Sequence, residues 1–491
     1  MTSNNLSHSV ARSGFWLFSL RIISRGLGFV RTIILARLLM PMDFGLIGIA
    51  MTVLVTLDLL SQTGFQTALI QRQESSRSHM DTAWTLLVIR GLVLFVIVFF
   101  LAPFIATFFN APDINLIVKV IAISIILSGF RNIGIIYFYK DLQYDKHFKY
   151  EISGALTDLI ISIVLAFILK NVWAIVWGGF AGNMMRLIMS YVLSDYRPKF
   201  MIDRISLQDL FSFGKWILIS GIVYSLLTQA DSMTIGKLIG PAALGFYQMA
   251  MLIAYLPSSE ISTVASHITL PAYSIMKDDL RRIKSAYLDV LRFTTFLSLP
   301  IGALIFILSP EFITLFLGNH WLPAVSCMQI LVFSGTLISI SSISMPIFSA
   351  RGIPKIETYL QTGNLFILLM LLYPLTTYHG INGTAVANLG GNVTVMLISI
   401  YYVAHLTGST LKEILIIIAF PLINTALMMV SVYSIKLIVP LDGFLQFFLG
   451  IIVASIVYLL STVMLDKMTG YGIVLLLKEK TRGFFTKKKP I

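Results

Sequence analysis

Basic side chains set into apolar segments are the residues of this sequence best suited to chemistry. The first such segment carries Arg21, Arg25 and Arg31, and Arg131, Arg186 and Arg292 lie in or at the margins of later ones. A charge at the centre of a bilayer costs at least about 2.5–3.5 kcal/mol on insertion scales, so residues of this kind mark pathways or buried pairs. A guanidinium stays charged at any accessible pH and grips phosphate oxygens through two parallel hydrogen bonds. A cationic surplus in the membrane therefore suits an anionic substrate, and a pyrophosphate-linked lipid fits. Arg21 and Arg25 share a helical face, and Arg25 falls about 18 Å along the helix from Ser13. Arg31 is turned roughly 120° from Arg25, so the three share a stripe only if Gly26 and Gly28 permit a bend.

Acids in the same segments are fewer: Asp58, Asp158, Asp231 and Glu260. Asp58 is expected at a depth similar to that of Arg21 and competes for it as a purely structural partner. Arg31 and Asp231 hold equivalent positions in an internal repeat, and a salt bridge between them would gate the outer end of a cavity. Glu260, near Pro257, and His267 are candidates for cation or proton coupling. Among polar residues, Asn132, Gln229, Tyr247 and Gln248 suit either a glycan or helix-helix bonding.

These groups must be positioned by membrane helices. Of 491 residues 57% are hydrophobic and 12% charged, against about 45–50% and 25% in soluble domains. Apolar runs near 13–38, 42–69, 83–108, 113–138, 150–169 and 172–193 are followed, after a polar linker, by runs near 208–238, 241–272, 284–308, 322–350, 355–377, 380–405, 411–437 and 444–466. Each is long enough to cross the hydrocarbon, which predicts fourteen spans in an all-α membrane protein. An even count puts both termini on one side. Loops on that side hold Arg72, Lys140, Lys146, Lys149, Arg204, Arg281, Arg282, Lys355 and Lys412 among others, so that side is cytoplasmic. The net charge of +13 thus belongs to membrane topology and anionic headgroups rather than to nucleic acid. The basic tail, with Lys478, Lys480, Arg482 and Lys487, has the same explanation.

At an offset of 200 residues Pro41 matches Pro241 and Gly45 matches Gly245; at an offset of 209, Gly154 matches Gly363, Gly182 matches Gly391 and Asn183 matches Asn392. Two parallel six-span repeats follow, which places a site between halves. The expected division is a lobe at 1–193, a cytoplasmic linker at 194–208, a second lobe at 209–405, an extra helix pair at 406–466 and a basic tail at 467–491.

The sequence contains no phosphate-binding glycine loop, dinucleotide fingerprint or zinc-ligand spacing, so no cofactor and no metal are expected. The lone Cys327 offers no disulfide. No long loop is available to house a polymerase or glycosyltransferase site, and an enzyme is not expected.

The runs ARLLMPMDFGLIGIA from Ala36 and DLLSQTGFQTALIQR from Asp58, with FYKDLQYDKHFKYE, LIGPAALGFYQMA, LPAYSIMKDD and LFLGNHWLPAVSCMQIL, resemble the polysaccharide transporter family, and are similar to its colanic-acid and teichuronic-acid type exporters. That resemblance implies the MOP exporter fold, two six-helix lobes in a V with two further C-terminal helices. It also implies a flippase that moves undecaprenyl-pyrophosphate-linked oligosaccharide across the bacterial cytoplasmic (inner) membrane by alternating access, for exopolysaccharide, capsule or O-antigen synthesis. Partners would be that lipid-linked oligosaccharide, membrane lipids, and the polysaccharide polymerase and glycosyltransferases of the same pathway. Alternatives are a peptidoglycan lipid-precursor flippase, a drug or cation antiporter of the same superfamily, which would need acids in its first lobe, and a membrane-embedded polymerase.

Overall fold

The computed structural model describes residues 3–61, 69, 77–203, 224–276, 278–438, 443–473 and 475. Among them there are helices and no strand. The longer helices are α1 (Ser3–Leu38), α2 (Pro41–Leu60), α3 (Arg77–Phe108), α4 (Ile114–Gly129), α5 (Tyr144–Leu169), α6 (Trp173–Val192), α7 (224–238) and α8 (Pro241–Ile275). There follow α9 (Leu280–Phe312), α10 (Ala324–Ser342), α11 (Lys355–Thr407), α12 (Leu411–Ile438) and α13 (Gly443–Thr469).

Local sequence explains where these helices begin and break. Pro41 opens α2, where its missing N–H costs nothing, and the Asp43 carboxylate accepts the Met40 N–H at 2.9 Å. Asp279 caps α9 by accepting the Arg282 N–H at 3.1 Å, satisfying a donor that the helix itself leaves free. α11 runs 53 residues but turns at Gly380, with φ 59° and ψ −140°, a conformation that an L side chain resists. It is therefore two helices, 355–379 and 381–407, and Gly408 closes the second in the left-handed region at φ 66°.

Eight helical segments among the described residues are long and apolar enough to cross a membrane, or nine when Ile114–Gly129 and Ile133–Lys140, bent by 65°, are taken as one span. The protein is a multi-pass membrane protein. Fewer spans qualify than the fourteen expected, for identifiable reasons. The two helices of α11 enter as one segment; α1, interrupted by arginines, falls outside that apolar set together with α6 and α8; and 204–223 are not among the described residues.

The chain forms two compact units, Met1–Phe246 and Tyr247–Ile491. The expected linker at 194–208 falls within the first, its residues from 204 outside the described set. The first unit extends past it because the repeated hairpins meet there. A Cβ on Gly45 would fall 1.6 Å from the Pro241 carbonyl oxygen, and one on Gly245 would fall 2.0 Å from that of Pro41. Glycine is what lets those backbones touch, and the repeat seen at an offset of 200 is thus a reciprocal contact. In the second unit, a core built on Tyr287, Leu291, Ile347, Phe348, Met428 and Tyr458 joins α9, α12 and α13 to the short helix Met345–Ala350.

Candidate functional site

On α5, Glu151, Gly154, Asp158 and Ser162 recur at intervals of three and four and so line one face. On α6, Gly178, Gly182 and Arg186 do the same. The small residues bring the helices close: a Cβ on Gly182 would lie 2.9 Å from the Gly154 carbonyl oxygen and 2.9 Å from the Asp158 Cβ.

Close packing then forces the polar groups together. Arg186 Nε donates to Glu151 Oε2 at 3.3 Å, and its side chain lies over Gly154, where an added Cβ would meet Arg186 Cγ at 2.5 Å. One turn further, Asp158 takes Arg31 from α1 in an ion pair of 3.0 Å. Ser162 closes that triangle, accepting from Arg31 Nε at 3.1 Å and donating to Asp158 Oδ1 at 2.9 Å. Arg131, just beyond the end of α4, donates from Nη2 to Asn183 Oδ1 at 2.7 Å. Its Nε is buried without a partner among the described residues.

Three guanidiniums, Arg31, Arg131 and Arg186, therefore share this α5–α6 cleft with two carboxylates. Arg131 carries the surplus positive charge, since its partners, the Asn183 amide and the Tyr150 hydroxyl, are neutral. A cation that no acid is paired with is a ready partner for an anion.

A strap formed by residues 194–203 roofs the end of the cleft where Arg131 sits. Asn132 Nδ2 donates to the Tyr196 carbonyl oxygen at 2.6 Å. Asp81 of α3, 3% exposed, accepts the Tyr196 hydroxyl at 2.7 Å and the Lys199 N–H at 2.9 Å. Further along, Thr85 and Thr82 accept the N–H groups of Met201 and Asp203 at 3.0 Å each. Burial, and then the bond to Asp81 and its charge, push the Tyr196 hydroxyl well above its ordinary pKa.

The other expected residues are placed as follows. Arg21 and Arg25 stand on α1, the former half-buried and the latter exposed, and both have interaction partners. Asp58 is held by Arg90 of α3, whose Nη2 also donates to the Asp58 carbonyl oxygen at 2.9 Å; the pairing of Asp58 with Arg21 is corrected accordingly. The bridge between Arg31 and Asp231 is corrected too: α5 packs on α1 and offers Asp158 at the level of Arg31. Asp231 is 2% exposed and accepts the Ser232 N–H at 2.6 Å. Arg292 lies in the second unit, 3.5 Å from Asp289 and 5.4 Å above the Tyr471 ring. Glu260 sits half-buried in α8. The side chain of His267 and the tail from 476 onward are outside the described residues.

Sequence reasoning missed Glu151 and Ser162 as partners and Asn183 as the ligand of Arg131. A signal was present, because Gly154, Gly182 and Asn183 had already stood out in the repeat at an offset of 209. Among the described residues no cluster of His, Cys, Asp or Glu is arranged to hold a metal ion.

The family described as "Polysaccharide biosynthesis protein" matches residues 34–326. The chain is 24% identical over 451 residues to an "Uncharacterized membrane protein in cps region" of Klebsiella pneumoniae, covering 91% of this chain and 92% of that one. It is 24% identical over 329 residues to "Lipopolysaccharide biosynthesis protein WzxC" of Escherichia coli strain K12, 67% of each chain. Among solved structures it is similar to "Lipid II flippase MurJ, inward closed conformation", with a TM-score of 0.75 at 15% identity, over 92% of this chain and 99% of that one. At that identity the likeness is one of fold.

Proposed function

Because this chain belongs to the polysaccharide biosynthesis protein family, we propose that it is a flippase, not an enzyme, which carries lipid-linked oligosaccharide across the bacterial cytoplasmic membrane for surface polysaccharide synthesis. The observation that carries the chemical side of this reading is Arg131. It is a guanidinium just beyond α4, held by Asn183 with no carboxylate, beside two arginines whose charge is already met by Glu151 and Asp158. A lipid pyrophosphate supplies the missing anion. It also lets a polar headgroup enter hydrocarbon that would otherwise reject it. Arg25, exposed on α1, is a second cation along that route. Basic loops orient both termini toward the cytoplasm; glycosyltransferases act before the transfer and the polymerase after it.

The test is delivery of a fluorescent undecaprenyl-pyrophosphate oligosaccharide to the opposite leaflet of proteoliposomes, comparing the wild type with Arg131→Gln and Arg25→Ala. The expected result is transport by the wild type and at least a tenfold loss in Arg131→Gln at equal insertion, since a charged hydrogen bond is worth ~1.5–3 kcal/mol. Unchanged transport in Arg131→Gln would remove the cleft from the pathway. A wild type that moves none of several glycans would overturn the flippase reading itself.

A further inference from the structure

The repeat at an offset of 209 puts Gly363, Leu360 and Val395 where Gly154, Glu151 and Arg186 stand. In the first unit the space over the glycine is taken by Arg186. In the second, nothing lies within 4 Å of a Cβ built on Gly363. The vacated space is a cavity of about 210 Å³ between the two helices of α11, walled by Leu360, Val395 and Ile398 and edged by Tyr359 and Tyr402.

Its lining defines what it accepts. Thr394 has spent its hydroxyl on the Gly390 carbonyl oxygen of its own helix, at 3.1 Å, and Asn364 is turned toward Gly391. The wall is therefore aliphatic, and an apolar cavity takes an apolar guest rather than water. Tyr359 and Tyr402 are 70% and 39% exposed, and neither hydroxyl makes a hydrogen bond among the described residues. Amphipathic tyrosines of this kind sit at the headgroup level of a membrane. Ile356 and Tyr359 belong to the first turns of α11 and Tyr402 to its last, so the niche lies at the end where exposed Lys355 and Arg351 stand. Aliphatic wall, tyrosine rim and cationic mouth follow one another as chain, glycerol and phosphate do in a phospholipid.

We propose that this niche binds one anionic phospholipid of the cytoplasmic leaflet, an acyl chain lying over Gly363 between Leu360 and Val395 and the phosphate meeting Lys355. The leaflet follows from the basic loops, which include Lys355, and anionic lipids concentrate at such cations. The site goes beyond the transport reading and requires only that this end of α11 face inward. In the first unit Arg186 fills the equivalent space.

Native mass spectrometry of the full-length protein with equal amounts of phosphatidylglycerol and phosphatidylcholine tests this without any transported substrate. The wild type should retain one phosphatidylglycerol more than Gly363→Leu, with no difference for phosphatidylcholine. Lys355→Gln should weaken that retention about fivefold. The leucine has open space to enter and favours helix over glycine. Should it fail to insert, Tyr402→Trp serves instead: the added fluorescence should be quenched more by dibrominated phosphatidylglycerol than by dibrominated phosphatidylcholine. Equal retention by the wild type and Gly363→Leu, equal quenching by the two lipids, or displacement of the bound lipid by polyprenyl phosphate would each overturn the proposal.

Discussion

At Gly154 the first unit lays a guanidinium over the helix and answers it with Glu151, whereas at Gly363 the second unit has only Leu360 and Val395 and leaves the space empty. The same glycine spacing therefore positions a charged cleft in one half and an apolar niche in the other. Gly182 and Gly391, where an added Cβ would meet the facing helix, set how near the fifth and sixth helices of each repeat come. The side chains three or four residues from these glycines, Glu151 and Arg186 in one half and Leu360 and Val395 in the other, decide what that nearness is for. In the charged version each cation must find a partner, since an unmatched charge in the membrane is costly. Arg31 and Arg186 have a carboxylate, and Arg131 has only the neutral Asn183 amide and Tyr150 hydroxyl.

The contrast breaks most readily at Asp158. Asp158→Leu leaves Arg31 without its acid, and removing one member of a buried pair costs about 3–5 kcal/mol. Both side chains keep about a fifth of their surface exposed, so solvent screening reduces the expected loss to about 2–3 kcal/mol. It should appear as a lowered thermal midpoint in detergent. The double variant Arg31→Leu, Asp158→Leu should recover most of it, because it leaves no orphaned charge. A double variant no better than the single would show that the pair is not what holds α1 to α5.

Next in size comes Gly182→Ala. Its Cβ would meet backbone oxygen and the root of Asp158 at 2.9 Å, so α5 and α6 must part, at about 1–3 kcal/mol. Gly391→Ala, the same change in the second unit, meets first the Oδ1 of Asn364, the tip of a side chain that can rotate away. The first variant should lose thermal stability and the second much less; equal losses would mean that the two clefts are packed alike.

The sequence makes the contrast half legible. Glycine, proline and asparagine announce themselves at fixed offsets because the close contacts they serve are repeated, and the touching of Pro41 with Gly245 is the physical content of that pattern. Arginine partners are not legible in the same way. Helical periodicity tells which residues share a face but not which helix lies opposite, so depth alone offers Asp58 to Arg21 although Arg90 holds it. Repeat symmetry offers Asp231 to Arg31, whereas Asp158 pairs with it because α5 packs on α1. In the sequence, residues 194–208 show only the polarity of a linker, and nothing in them announces the strap at 194–203. Its order comes from side-chain acceptors on α3, over a hundred residues away in the chain.

That strap gives the charged cleft a roof, and Tyr196→Phe tests it. Asp81 would keep the Lys199 N–H and lose the hydroxyl, at about 1 kcal/mol for one hydrogen bond. The Tyr196 pKa is raised in the folded protein. Its contribution is therefore complete below the unfolded value of about 10, and is lost as pH rises from there toward the folded value. Phe200 packs tilted against Trp84, ring centroids 4.7 Å apart, so Trp84 emission should report undocking of the strap above about pH 10. In Tyr196→Phe that alkaline step should shrink, and an unchanged step would assign it to another group.

The smallest effect expected is also the one that separates the two halves by sign. Gly154→Ala and Gly363→Ala both replace glycine in a helix interior, which by itself favours the helix by about 0.5–1 kcal/mol. At Gly363 nothing opposes that gain, and the variant should melt slightly higher than the wild type. At Gly154 the methyl would press on Arg186 Cγ, near the fixed root of the side chain rather than its mobile end. Arg186 must shift, its 3.3 Å bond to Glu151 lengthens, and the gain is cancelled or reversed. Opposite shifts in the thermal midpoints would show that occupancy of the cleft, not its backbone, distinguishes the halves. A rise in both would mean that Arg186 moves aside freely and that the charged cleft is as open to a guest as the apolar one.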